Sequence, residues 1–289
     1  MKITRQIYSL FALALSLAAF PAPGLAATKP LNGPTGLAVD AAGNLYVANS
    51  VDNNVLIYNS SFVEKTPIIN NVREPASVAI DPYGNLWVAN LGSGSITEYI
   101  GGKQNVAATI ADGISSPSQI VVDGLDNLWV HNFGPLTVYS PTAVYAPPSK
   151  LVQTVDAVGE GAGAITVGAG ALLYSTGTTS SDRLFLESAS ATLLGNAFNG
   201  GAFGFGASAL APDDKGNIYG AVQNSNGTTS SVFIVHPNAT STSFATVPLA
   251  EVNGMAVDRA RGRVYICDIE VNEILVYSTA GKLIHTIHN

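Results

Sequence analysis

The chain has 289 residues, 47% of them hydrophobic and 11% charged, with 29 Gly, 15 Pro and one Cys. Thirteen Lys and Arg stand against twenty Asp and Glu, a formal charge of −7, which argues against a surface that tracks nucleic-acid phosphates. The apolar content excludes a disordered chain, and a single cysteine excludes a disulfide framework or a cysteine-built zinc site.

Lys2 and Arg5 precede an apolar stretch from Ile7 to Phe20, which ends in a helix-breaking Pro21-Ala22-Pro23-Gly24 and small residues up to Ala26. This is the layout of a secretory signal peptide over 1–26, with Gly24 and Ala26 suited to the cleavage site. The apolar stretch is shorter than the roughly 20 residues that a span requires, so no membrane span is expected after cleavage. The expected product is a single domain over 27–289, periplasmic or secreted and monomeric.

Residues 34–289 read as a repeat. PTGLAVDAAGNLYVAN from Pro34 aligns with PASVAIDPYGNLWVAN from Pro75 and PSQIVVDGLDNLWVHN from Pro117, a period of about 42 residues. Clear later copies begin near Ala207 and Val252, and a degenerate one is expected near Gly163. In the first copy, short apolar or alternating runs at Leu37–Asp40, Asn44–Asn49 and Val55–Tyr58 predict strands, with a looser fourth at Thr66–Ile69. Four strands per period of this length predict an all-β, six-bladed β-propeller of four-stranded antiparallel blades, starting near 34, 75, 117, 163, 207 and 252. The last nine residues supply the fourth strand of the last blade, so closure is expected from packing of the last blade on the first.

Between the first two strands of a copy stands an Asp that accepts turn N–H bonds, followed by a Gly that takes positive φ. The pairs are Asp40 with Gly43, Asp81 with Gly84, Asp213 with Gly216 and Asp258 with Gly262; in the third copy Asp126 replaces the Gly. Because these acids recur with the turn, they are expected to be structural. Tyr46, Trp87, Trp129, Tyr174, Tyr219 and Tyr265 form one recurring aromatic column, and Tyr58, Tyr99, Tyr139 and Tyr277 another, as blade-on-blade packing requires.

The string P-x-G-L-A-V-D-x-x-G-N-L-Y-V-A-N followed by N-x-V-x-x-Y resembles the NHL repeat and the related SMP-30-like and streptogramin-lyase-like six-bladed propellers. The resemblance implies either a non-catalytic exported module that binds a protein, peptide or glycan, or a divergent lactonase or lyase with a site at the channel mouth. SMP-30-like lactonases bind a divalent cation through a Glu in E-G-P, an Asn in N-G-L and an Asp. Here Asn32, Gly33 and Pro34 occupy the E-G-P position, so that Glu is missing, while Asn253 matches the N-G-L Asn. Asn253 and Asp268 are therefore the weak metal candidates, for Ca²⁺ or Mg²⁺ under the enzyme reading, and no cofactor is expected under the binding reading.

Departures from a repeat mark function, because the scaffold accounts for what recurs. The column of Ala48, Ala89, His131, Thr176, Ala221 and Cys267 contains two outliers, His131 and Cys267, the latter read as a small buried residue. The next column holds Asn49, Asn90, Asn132 and Asp268. Asn49, Asn90, His131, Asn132, Asn253 and Asp268 are the candidate ligand-binding residues of one mouth. For the Asn set the competing reading is a structural one, amides that cap local turns.

Overall fold

The computed structural model describes residues 30–66, 69–132, 141–146, 150–156, 162–167, 173–177, 183–187, 193–199, 207–238 and 240–288. The expected signal peptide lies outside these residues. Each repeat forms an antiparallel sheet whose strands follow chain order, six sheets among the described residues. The first strands are Pro34–Val39, Pro75–Ile80, Pro117–Val122, Ala162–Val167, Ala209–Pro212 and Gly254–Asp258. Second strands follow at Leu45–Asn49, Leu86–Asn90, Leu128–Asn132, Leu173–Gly177, Ile218–Gln223 and Arg263–Asp268. The first strand of each sheet touches that of the next, and the first strand of sheet six returns to sheet one. This all-β ring around a channel is a β-propeller.

The turn between first and second strands explains why the repeat keeps its Asp, Gly and Asn. In sheet three, Asp123 Oδ1 accepts the N–H groups of Leu125 (2.9 Å) and Asn127 (2.8 Å), while Oδ2 accepts Asn127 Nδ2 (2.9 Å) and the buried Trp129 Nε1 (3.1 Å). Asp81 does the same for Tyr83, Asn85 and Trp87. The following residue turns the chain through positive φ, +83° at Gly84 and +67° at Asp126. Tyr46, Trp87, Trp129, Tyr219 and Tyr265 of the first column are buried, and Tyr46, Trp87 and Trp129 also tie their polar edges to their own turn.

Apolar clusters join successive sheets. Tyr46, Ala48 and Ile57 of sheet one pack with Val78, Val88 and Tyr99 of sheet two, and Trp87 and Ala89 pack with Ile120 and Val130 of sheet three. The same contact closes the ring: Tyr265, Cys267 and Ile274 of sheet six lie against Leu37, Leu45 and Val47 of sheet one. Polar links reinforce that seam. Arg261 donates to Ala42 O (2.6 Å) and Arg263 to Ser60 O (2.7 Å); the Arg263 guanidinium lies 4.7 Å from the Phe62 ring, which stacks on His285 at 4.2 Å. The last strand of sheet six, Leu283–Ile287, comes from the chain's own end.

Among the described residues sheet one has three strands, and the isolated bridges Tyr58↔Glu64 and Val55↔Ile69 line the outer edge of its third strand; residues 67 and 68 of the strand expected at Thr66–Ile69 lie outside the described residues. One expectation is corrected. In sheet three the third strand is Pro141–Ala146, so Tyr145, paired with Leu128, holds the register position that Tyr58, Tyr99 and Tyr277 hold opposite Leu45, Leu86 and Val264. Tyr139 lies outside the described residues. The connection after Asn132 is longer than in the first two copies, and fixed-offset alignment does not register an insertion of that kind.

Candidate functional site

Asn49, Asn90, Asn132 and Asp268 are the last residues of their second strands, all at one mouth of the channel and all buried. Each accepts a backbone N–H from 17 residues upstream: Asn32 (2.6 Å), Arg73 (3.1 Å), Ser115 (3.2 Å) and Glu251 (3.3 Å) respectively. They pin the segment entering each sheet to that sheet's second strand, a longer reach than a local turn cap. The amide of Asn49 also donates to Asn54 Oδ1, that of Asn90 to Thr97 Oγ1, and that of Asn132 to Gly113 O. Asp268 Oδ1 accepts Glu270 N–H at 2.7 Å. Asn253 accepts Ile269 N–H at 2.8 Å while lining the channel. Glu74 and Glu251, which precede first strands, are exposed.

Among the described residues the SMP-30-like set of Glu, Asn and Asp is not assembled. The weak metal candidates are already engaged, Asn253 by one N–H and both Asp268 oxygens by others, and the E-G-P position carries Asn32. Among the described residues no three His, Cys, Asp or Glu side chains converge as ligands.

The channel itself is a cavity of about 960 Å³ walled by the first strands. A bulge near the start of those strands leaves Thr35, Ala76 and Ser118 without a cross-strand partner and re-aims their side chains. The hydroxyls of Ser118 and Ser208 then reach the second-strand carbonyl 13 residues on, at His131 (3.3 Å) and Ala221 (3.4 Å), while that of Thr35 donates to Pro75 O of sheet two (2.9 Å), with Ala48 O at 3.4 Å. Their oxygens keep lone pairs for a further donor.

The next position sets the spacing of the wall. At Gly254 an added Cβ would stand 2.7 Å from Thr35 O, and at Gly36 2.6 Å from the Ser77 Cα, so sheets six, one and two approach backbone to backbone. Between sheets two and three Ser77 Oγ accepts Ile120 N–H (3.3 Å), and between three and four the longer Gln119 accepts Ile165 N–H (2.7 Å). The side chain bridging the wall grows from Gly to Ser to Gln, so the wall is most open beside sheet four. Ser118 and Gln119 escaped sequence reasoning. The column Gly36, Ser77, Gln119, Gly254 carried the signal.

His131 sits behind that opening. It is 3% exposed, its Nδ1 lies 2.8 Å from Ser118 Oγ, and its Nε2 is buried with no partner among the described residues. The Ser118 hydroxyl thus has both the His131 carbonyl (3.3 Å) and the nearer Nδ1 within reach. Burial lowers the imidazole pKa to about 4. No described carboxylate orients the ring, and an imidazolium formed there would lack a counter-ion, so the pair has the distance of a nucleophile and base without the electrostatics. Cys267 is fully buried, and burial raises its thiol pKa far above the ordinary range, which leaves it a packed, unreactive group.

At the opposite mouth the turns bring Asp40, Asp81, Asp123, Asp213, Asp214 and Asp258 around the channel, against one base of the lining, Arg259. The same turns also carry Lys215 and Arg261, the latter 3.4 Å from Asp258.

No protein-family model matches the sequence, and no curated protein does. Solved structures do share the fold. A calcium-binding regucalcin from Agrobacterium tumefaciens superposes with a TM-score of 0.65 at 14% identity, covering 84% of each chain. A gluconolactonase from Xanthomonas campestris gives 0.63 at 15% identity over 82% of this chain and 84% of its own. A streptogramin B lyase gives 0.63 at 11% identity over 91% and 85%. At these identities the likeness is one of fold alone, a β-propeller.

Proposed function

We propose that this chain is an exported, monomeric, NHL-type six-bladed propeller over 27–289, released from a signal peptide at 1–26, that binds a neutral, hydroxyl-rich ligand, a glycan, in its channel without catalysing a reaction. The observation that carries the reading is the channel wall at the mouth where the second strands end. Thr35 and Ser208 donate their protons to carbonyls and, with Ser118, put hydroxyl oxygens on that wall for a ligand rich in O–H groups. The cavity is of the size that takes a small ligand. Neither a metal nor a counter-charged base enters this chemistry.

The test is a panel of neutral oligosaccharides, titrated by calorimetry against the exported protein, whose mass should start at residue 27. Binding is expected, and Ser208→Val or the lumen-filling Ala76→Phe should weaken it at least roughly tenfold with unchanged thermal stability. The lactonase or lyase alternative rests on the Ser118–His131 distance of 2.8 Å. Stoichiometric labelling of Ser118 by a fluorophosphonate probe would overturn the non-catalytic reading.

A further inference from the structure

The mouth at the aspartate turns carries two side chains that the scaffold does not require. Between the Asp and the positive-φ residue of each turn the chain is free to vary, and the residue just before the positive-φ position is Ala42, Tyr83, Leu125, Lys215 or Arg261 in the described sheets. Tyr83 is 78% exposed and Leu125 74%, more than any other large hydrophobic residue described. They occupy corresponding places on the turns of sheets two and three, whose first strands touch. The backbone of each is fixed in its turn, since Asp81 accepts Tyr83 N–H and Asp123 accepts Leu125 N–H, both at 2.9 Å. A backbone already ordered lowers the entropy lost on binding.

Their surroundings select the partner. Leu125 is itself part of the channel lining, with the six aspartates and the single Arg259. The turn carboxylates accept N–H donors, Asp258 also pairs with Arg261 at 3.4 Å, and a concave mouth between low-dielectric walls focuses the field of an acid-rich lining. Asp126 and Glu98 stand in the same field: burial first, then neighbouring carboxylates, raise the pKa of each. A second anionic or purely apolar partner would be repelled or mismatched there, whereas Lys and Arg side chains are attracted and can stack on Tyr83.

We propose that this mouth docks a basic peptide segment of another protein, with Tyr83 and Leu125 as apolar anchors and the ring of aspartates as its electrostatic complement. The face lies opposite the mouth where the second strands end, so the proposal is independent of the glycan reading and either can fail alone.

The probe is a fluorescein-labelled decapeptide with two Lys-Arg-Trp clusters separated by glycines, measured by anisotropy beside a counterpart with Glu in place of Lys and Arg. The basic peptide should saturate the protein at low salt and weaken roughly tenfold as salt is raised to about 0.3 M, while the acidic one stays unbound. Tyr83→Ser combined with Leu125→Ser should weaken it at least roughly tenfold, and Asp126→Asn combined with Asp214→Asn should flatten the salt dependence. Val51→Ser with Val271→Ser, at the other mouth, should leave binding unchanged. Undiminished binding by the Tyr83/Leu125 double variant, equal binding of the acidic peptide, or no saturation by about 1 mM probe overturns the proposal.

Discussion

Replacing His131 by alanine, the residue that Ala48, Ala89 and Ala221 supply at the equivalent position, should change how stability depends on pH more tellingly than it changes stability at one pH. In the folded chain burial holds the imidazole pKa at about 4, against 6.5 for a free histidine. The unfolded chain therefore takes up the proton first. Stability is complete above the unfolded value and is lost as pH falls from about 6.5 toward 4. At about 1.4 kcal/mol per pKa unit the full loss is roughly 3 kcal/mol, and about 2 kcal/mol of it is gone by pH 5. The variant lacks this term. At pH 7.5 it loses the packed ring, roughly 2–4 kcal/mol, and is relieved of a buried ring nitrogen without a partner, roughly 1–3 kcal/mol. The two proteins should thus differ modestly at pH 7.5, and by pH 5 the balance should move about 2 kcal/mol in the variant's favour. Urea unfolding followed by tryptophan fluorescence at pH 7.5, 6.5, 5.5 and 5 measures this, and carboxylates common to both proteins cancel in the difference. Parallel stability curves for the two proteins would refute the buried, unpartnered imidazole.

The turns of sheet three should respond with opposite signs. Asp123→Ala removes an acceptor of four bonds, including the buried Trp129 indole, and should destabilise by about 3 kcal/mol or more in chemical unfolding. Asp126→Gly places at φ +67° the residue that most other turns use, removes a carboxylate among carboxylates, and should stabilise by about 0.5–1 kcal/mol. At the closing seam, Arg263→Ala removes the bond to Ser60 O and the contact with Phe62, and should destabilise by roughly 1–3 kcal/mol; an effect below about 0.5 kcal/mol would mean that the seam is held by its apolar cluster alone.

What the sequence determined by itself is whatever closes within a few residues. The bonds of Asp40, Asp81, Asp123 and Asp213 reach the Asn four positions on, so the turn, the strands flanking it and the first aromatic column repeat visibly along the chain. The propeller was legible for the same reason: stacked units must each present the same faces to their neighbours. The readings that faltered needed contacts no period encodes. The third strand of sheet three lies beyond an insertion that a fixed offset does not register. Asn49, Asn90, Asn132 and Asp268 were rightly seen as a set, yet only the folded chain identifies their partners 17 residues upstream, which engages them in holding the entry of each sheet. Only the tertiary structure decided that Gly254, Gly36, Ser77 and Gln119 grade the channel wall, that His131 is enclosed without a partner for Nε2, and that two arginines of sheet six reach sheet one about 200 residues away. Those features arise where sheets meet, and a sheet's neighbour across the ring is set by closure rather than by adjacency in the chain.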